Sequence, residues 1–298
     1  VIGPNADSKI MLSGNYYGTA SKYTTILEGI HDEVGEEIRV YYSEGCHLYK
    51  DRVEGLALPG DRISEAVSVA KRSDVAVLCL GLDSTIEGEQ GDTGNSQAAG
   101  DKNDLSLPGK QQELLEAVIK TGTPVIVVLG TGSALTFNGL EEKCDAILNA
   151  WYPGSHGGRA VADILFGKYS PSGKLPVTFY KGIENLPDFE DYSMINRTYR
   201  YMNDESLYSF GYGLTYSNVE LTNLTVKKDT NYFDEIFVTV DIKNIGRYDI
   251  EEVIQCYIKN LESKYAVKNH SLVAFKRVSL KVGETKKVTL KIDKKSFE

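Results

Sequence analysis

Two stretches limit what this chain can fold into. Asp74-Val75-Ala76-Val77-Leu78-Cys79-Leu80-Gly81 and Thr123-Pro124-Val125-Ile126-Val127-Val128-Leu129-Gly130 each carry an unbroken apolar run that ends in glycine. A strand wetted on one face alternates apolar and polar residues; one that is apolar throughout needs cover on both faces, as in parallel sheets flanked by helices. Helical patterns lie before them. One runs from Ile63 to Arg72, another from Gly109 to Lys120 with Leu114, Leu115 and Val118 on one side. A third strand, Ala146 to Trp151, precedes a helix from Gly157 to Phe166 with Ala160, Val161, Ile164 and Leu165 inward. Val1 to Asn5 reads as a strand entering a turn. Repeated strand–helix units predict a wound, mostly parallel α/β domain over residues 1–180, with ligands beyond the carboxyl ends of its strands.

The pattern changes further on. Residues 181–217 are rich in Tyr, Asp and Gly and form an irregular connecting segment, a kind of stretch that is usually functional or a linker. Residues 218–298 read as all-β. Phe237 to Ile242 alternates, Asn244-Ile245-Gly246 turns, and Val253 to Ile258, Val278 to Leu280 and Val288 to Ile292 follow. That spacing predicts a β-sandwich. The sequence stops at Glu298, before the strand or two that would close such a fold, so the sandwich is expected to be truncated.

Charge and composition narrow the function. A net charge of −9 with no basic stripe argues against nucleic-acid binding. No run approaches the roughly 18 apolar residues of a membrane span. Cys46, Cys79, Cys144 and Cys256 are scattered without a CxxC pair and read as free thiols, and four scattered His residues form no metal site. No metal or cofactor is therefore expected. An acidic chain with 10% aromatics suits neutral polyhydroxylated ligands, which stack on rings and hydrogen-bond to carboxylates. The chain opens at Val1 with no visible signal peptide, which leaves the compartment open with a lean to the bacterial cytoplasm. Asn196-Arg197-Thr198, Asn223-Leu224-Thr225 and Asn269-His270-Ser271 fit the glycosylation pattern, a triplet that also arises often by chance.

The chemistry concentrates in Gly81-Leu82-Asp83-Ser84-Thr85-Ile86-Glu87-Gly88-Glu89-Gln90-Gly91-Asp92. This run follows a buried strand, at the ligand-binding end of the sheet. Four carboxylates within ten residues repel one another and raise the pKa of any that is also desolvated, as a general acid requires. A solvated acidic loop, with or without a bound cation, fits the same residues.

A resemblance separates these readings. Several stretches follow one another in a family order: Val1-Ile2-Gly3-Pro4-Asn5-Ala6-Asp7, Gly14-Asn15-Tyr16-Tyr17-Gly18, Ile86-Glu87-Gly88-Glu89 and Leu107-Pro108-Gly109. Trp151-Tyr152-Pro153-Gly154, Pro171-Ser172-Gly173-Lys174-Leu175-Pro176 and Phe210-Gly211-Tyr212-Gly213-Leu214 continue it. In these the chain resembles the C-terminal domains of family 3 glycoside hydrolases, especially the β-xylosidase-like branch. Asn244-Ile245-Gly246 and Phe275-Lys276-Arg277-Val278 resemble the fibronectin-type-III-like domain that follows. The resemblance implies a retaining β-glycosidase acting on a xyloside or glucoside, with Glu89 as acid/base and Glu87 as the fallback position. The branch's basic residue after that Glu is delayed here to Lys102 by the insertion Gly91–Gly100. The family's Asp nucleophile lies in an N-terminal (β/α)₈ barrel that this sequence lacks. The barrel is thus the implied partner, and the chain alone is expected to be inactive.

Other candidates carry plainer readings. Gly130-Thr131-Gly132-Ser133 has an incomplete phosphate-loop spacing and reads as a strand-to-helix turn. Trp151 and Tyr152, at a strand end, are candidates for stacking on a sugar, although aromatics so placed more often serve packing or an interface. His156 is expected to face the missing barrel, without a metal or catalytic role. For Arg197, Tyr199 and Arg200, interface packing comes first and substrate contact second.

Overall fold

A computed structural model describes residues 1–15, 17–88, 102–184, 186–228 and 235–297. The chain divides into two compact units. One is Val1–Phe166 with Tyr180–Ile183; the other is Gly167–Phe179 with Glu184–Glu298.

In the first unit β1 (Ala76–Gly81), β2 (Val125–Gly130) and β3 (Ala146–Asn149) pair in parallel in that order. Ile2 forms parallel bridges to Leu78 of β1 and to Ser43 on its other side. The sheet therefore continues past β1 through the Ile2 segment to the Ser43 segment. Side chains alternate between two cores, which is why β1 and β2 are apolar at successive positions. Leu78, Leu80, Val127 and Leu129 enter one core with Ala66 and Ala70 of α3 (Asp61–Ala70) and Leu114, Leu115 and Val118 of α4 (Gln111–Ile119). Cys79 and Val128 enter the other, among residues from α1 (Lys9–Ser13), α2 (Ile26–Val34) and α5 (Gly157–Leu165). All four cysteines are free, and burial pushes the Cys46 and Cys79 thiols up to about 12.

The departures from expectation have local causes. The ladder of β3 ends at Asn149, and at Trp151 the backbone turns left-handed, with φ at 55°. Between β2 and the 3₁₀ turn Glu141–Lys143 the chain is irregular rather than α-helical. The buried Glu141 carboxylate organises that stretch, accepting from the Thr136 hydroxyl at 2.9 Å and the Gly139 N–H at 3.0 Å. Ala160 of α5 faces solvent, not the core. The phase of α5 is set by Gly157, Gly158, Val161 and Ala162, which are its buried residues. Helices α1 and α2 did not figure among the expected elements. α2 is started by a capping box, in which Thr25 N–H donates to Glu28 at 2.8 Å and Thr25 Oγ1 accepts from Glu28 N–H at 3.2 Å.

The second unit carries the sandwich. β4 (Val219–Lys228), β5 (Glu235–Asn244) and β8 (Thr285–Asp293) form one antiparallel sheet, and β6 (Ile250–Ile258) with β7 (Ser271–Leu280) forms the other. Both contribute to one core, including Ile242, Ile254, Leu280 and Leu290. Asn244, fully buried as the last residue of β5, accepts from Gly246 N–H at 3.0 Å and donates to the Tyr248 carbonyl at 2.8 Å. Lys174 reaches Glu252 of β6 at 2.7 Å, and Tyr199, in the short helix α6 (Thr198–Tyr201), stacks on Phe210 at 4.3 Å. The otherwise irregular residues 167–179 and 184–217 are thus part of this unit.

Helices α2 and α5 approach closely through glycine. A methyl on Gly158 would stand 1.8 Å from the Thr25 carbonyl oxygen, with backbone on both sides of the contact. Gly158→Ala should lower unfolding stability by about 1–3 kcal/mol in urea titration, as overpacking does. Gly18→Ala, at an exposed glycine with open space around it, should stay within about 0.5 kcal/mol.

Candidate functional site

Strand order and chain order disagree at one place. The Ile2 segment lies between Ser43 and β1, and the chain leaves it to form α1 and α2 before returning at Ser43. The connection from Ser43 to β1 runs through α3, on the opposite face. Connections that part to opposite faces open a crevice at the carboxyl ends of the two strands, the place where open α/β sheets bind ligands. Asn5 ties the two segments together there, donating from Nδ2 to the Leu82 carbonyl at 3.2 Å.

The segment leaving β1 is held at each step. Gln111 is fully buried; it accepts from Gly81 N–H at 2.7 Å and donates to the Leu48 and Gly81 carbonyls at 2.7 and 2.8 Å. The buried Asp83 carboxylate accepts from Thr85 N–H at 2.8 Å and from its hydroxyl at 2.6 Å. The Asp83 carbonyl accepts from Ile86 and Glu87 N–H, at 3.2 and 3.1 Å, closing a tight turn. Ile86 fills the core beneath it.

That turn delivers Glu87 to the ends of the neighbouring strands. Glu87 Oε2 accepts from Gly132 N–H at 2.8 Å and from the Tyr152 hydroxyl, and Oε1 accepts from the Ser133 hydroxyl. Its backbone carbonyl accepts from Asn15 Nδ2 at 2.8 Å. Burial, and then the bond to Glu87, hold the Tyr152 phenol well above its ordinary pKa. Two glycines make the room. A Cβ at Gly132 would stand 2.8 Å from Glu87 Oε2, and one at Gly14, where φ is +62°, would stand 2.5 Å from the Tyr152 ring. Lys102 donates to the Ala134 carbonyl, and burial brings its ammonium down to about 8 against the opposing pull of Glu87 and Asp104.

Of the residues singled out in the sequence, Glu87, Trp151 and Tyr152 come together at this end of the sheet, each half-buried. Glu89 lies outside the described residues. His156 is exposed at the start of α5. Arg197, Tyr199 and Arg200 belong to the second unit, where the Tyr199 hydroxyl accepts from Leu272 N–H at 3.1 Å. Among the described residues no group of three or more His, Cys, Asp or Glu is placed to hold a metal. By its local spacing the Gly132–Ser133 turn is a plain connection. Its partner is the carboxylate of Glu87, 45 residues earlier for Gly132, and local spacing carries no sign of a contact at that range.

The chain as a whole is similar to known proteins in sequence and in fold. The model of the Glycosyl hydrolase family 3 C-terminal domain matches residues 1–216, and that of the fibronectin type III-like domain matches 252–298. The chain is 41% identical over 236 residues to a xylan 1,4-beta-xylosidase of Xylanibacter ruminicola, covering 78% of this chain and 27% of that protein. It is 32% identical over 321 residues to a periplasmic beta-glucosidase of Salmonella typhimurium, covering 98% and 41%. A solved GH3 beta-glucosidase from Bifidobacterium adolescentis superposes with a TM-score of 0.84 at 30% identity, covering 99% of this chain and 43% of that one. The chain thus spans less than half the length of each of these relatives.

The lowered Lys102 predicts a pH dependence. Between about pH 8 and the ordinary 10.5 the unfolded chain binds more protons at this site than the fold does, so the Lys102 contribution to stability rises with pH through that window. Below about 8 the burial penalty is complete. The stability of Lys102→Met relative to the unaltered chain, measured by urea unfolding, should therefore fall steadily from pH 8 to 10.5.

Proposed function

Because the chain belongs to the family 3 glycoside hydrolases, we propose that it is the acid/base-bearing part of a retaining exo-β-glycosidase that releases xylose. The observation that carries this reading is the carboxylate-rich segment leaving β1 at the crevice where the strand order reverses. In a retaining enzyme two carboxyl groups stand about 5–5.5 Å apart, one attacking the anomeric carbon and one handing its proton to the leaving oxygen. In this reading Glu89 is the proton donor. It protonates the glycosidic oxygen, then as carboxylate takes a proton from the water that releases the glycosyl-enzyme. The attacking Asp comes from the family's (β/α)₈ barrel, and no such barrel lies among the described residues.

Xylosides come first because the beta-xylosidase named above shares 41% of aligned residues with this chain, against 32% for the Salmonella beta-glucosidase. A β-glucosidase is the second reading, supported by that relative's coverage of 98% of the chain. Aryl xylosides and aryl glucosides tested side by side on the barrel-containing enzyme separate the two. A non-catalytic sugar-binding module would instead bind xylose as the isolated chain, whether or not Glu89 is replaced.

The 298-residue chain alone should show no turnover of 4-nitrophenyl β-xyloside, and turnover should appear when the barrel is supplied. In the barrel-containing enzyme Glu89→Gln should cost about 10²–10⁴-fold in kcat/KM on alkyl xylosides, the range of general-acid contributions. Full activity in that variant would remove Glu89 from the mechanism.

A further inference from the structure

The two glutamates of Ile86-Glu87-Gly88-Glu89 resemble each other in sequence, but Glu87 has surroundings of a particular kind. Its carboxylate is met by donors from two further stretches of chain: the Gly132 N–H and Ser133 hydroxyl after β2, and the Tyr152 hydroxyl after β3. Asn15, from a third stretch, holds its backbone carbonyl. The glycines at 14 and 132 keep clear the space that Tyr152 and Glu87 occupy. Lys102, fifteen positions along the chain, is tied to Ala134, next to Ser133.

We propose that Glu87 is a positioning residue whose carboxylate, gripped by Gly132, Ser133 and Tyr152, fixes the outgoing stem of the acid/base loop to the ends of β2 and β3. This deepens the reading above and rests on it. A general acid has to present a proton to the leaving oxygen and later collect one from water. Glu87 already uses both oxygens to accept hydrogen bonds from groups anchored in the sheet end, so its geometry serves placement. Lys102 anchors the returning stem to the same turn, and both stems therefore hang from residues 132–134. Misplacing a catalytic group by about 1 Å costs on the order of a hundredfold in rate, which sets the scale of what such a clamp protects.

Two measurements test the proposal. In the 298-residue chain, Glu87→Ala, which removes the acceptor, should speed amide exchange at Gly132 at least tenfold and leave unchanged that of Leu82, whose N–H goes to the Gly130 carbonyl. The Tyr152 phenol should also titrate at lower pH. This arm stands even if the chain proves not to act on xylosides. Gly132 exchange unaltered in Glu87→Ala would overturn the clamp. In the barrel-containing enzyme, Glu87→Gln should lower kcat/KM about a hundredfold, more on alkyl than on nitrophenyl xylosides because the misplaced group is the acid, while the basic limb of the pH profile persists; Glu89→Gln should abolish that limb. Loss of that limb in Glu87→Gln, with the limb kept in Glu89→Gln, would make Glu87 the acid/base and overturn the proposal. Should Glu87→Gln fail to fold, Tyr152→Phe combined with Ser133→Ala removes two donors and leaves the carboxylate in place. It should give the same loss, greatest on alkyl xylosides, with the basic limb kept; full activity in that variant would likewise sink the assignment.

Discussion

The first unit depends on the burial of β1 and β2 on both faces. Successive side chains enter different cores, Leu78 and Leu80 one, Cys79 the other. Neither face can be left to water, because burying a Leu or Val is worth roughly 1.5–3 kcal/mol relative to exposing it. Helices must therefore lie on both sides of the sheet, and somewhere the chain must pass from winding on one face to winding on the other. That passage, between the Ile2 segment and β1, opens the crevice. The position of the candidate site thus follows from a burial requirement.

Close backbone approach is the second constraint. Gly29 and Gly158 let α2 and α5 touch through their backbones, and Gly14 and Gly132 admit Tyr152 and Glu87 at the sheet's end. An added methyl is tolerated least at Gly29 and Gly158, where the atoms it would meet belong to the backbone. The polar network around Glu87 is correspondingly exacting. The network is half-buried, and its donors come from three separate loops, at Asn15, at Gly132 and Ser133, and at Tyr152.

The second unit is organised by different means. Its core is a two-sheet sandwich of alternating side chains, and an irregular stretch is attached to it by specific contacts. Lys174 with Glu252 is an ion pair whose two side chains are each less than 15% exposed, and Tyr199 is packed among Phe210, Tyr257 and His270. Aromatic residues spaced without period in the sequence become a cluster only when β6 and β7 supply its floor.

Sequence alone was enough for the wound α/β class, for β1, β2, α4 and most of the sandwich strands, because apolar periodicity reports burial directly and burial decides which element forms. It also located the acidic stretch after β1, and family order identified the chemistry to expect there. It did not reveal α2, whose start depends on a reciprocal pair of hydrogen bonds, nor the left-handed turn at Trp151 that ends β3. Nor did it distinguish the surroundings of Glu87, Tyr152 and Ser133. Those three are 46 and 65 positions apart, counted from Glu87, and no local pattern encodes a hydrogen bond across that distance. Only parallel packing of β1, β2 and β3, which sets their carboxyl ends side by side, brings the three groups within reach of one another.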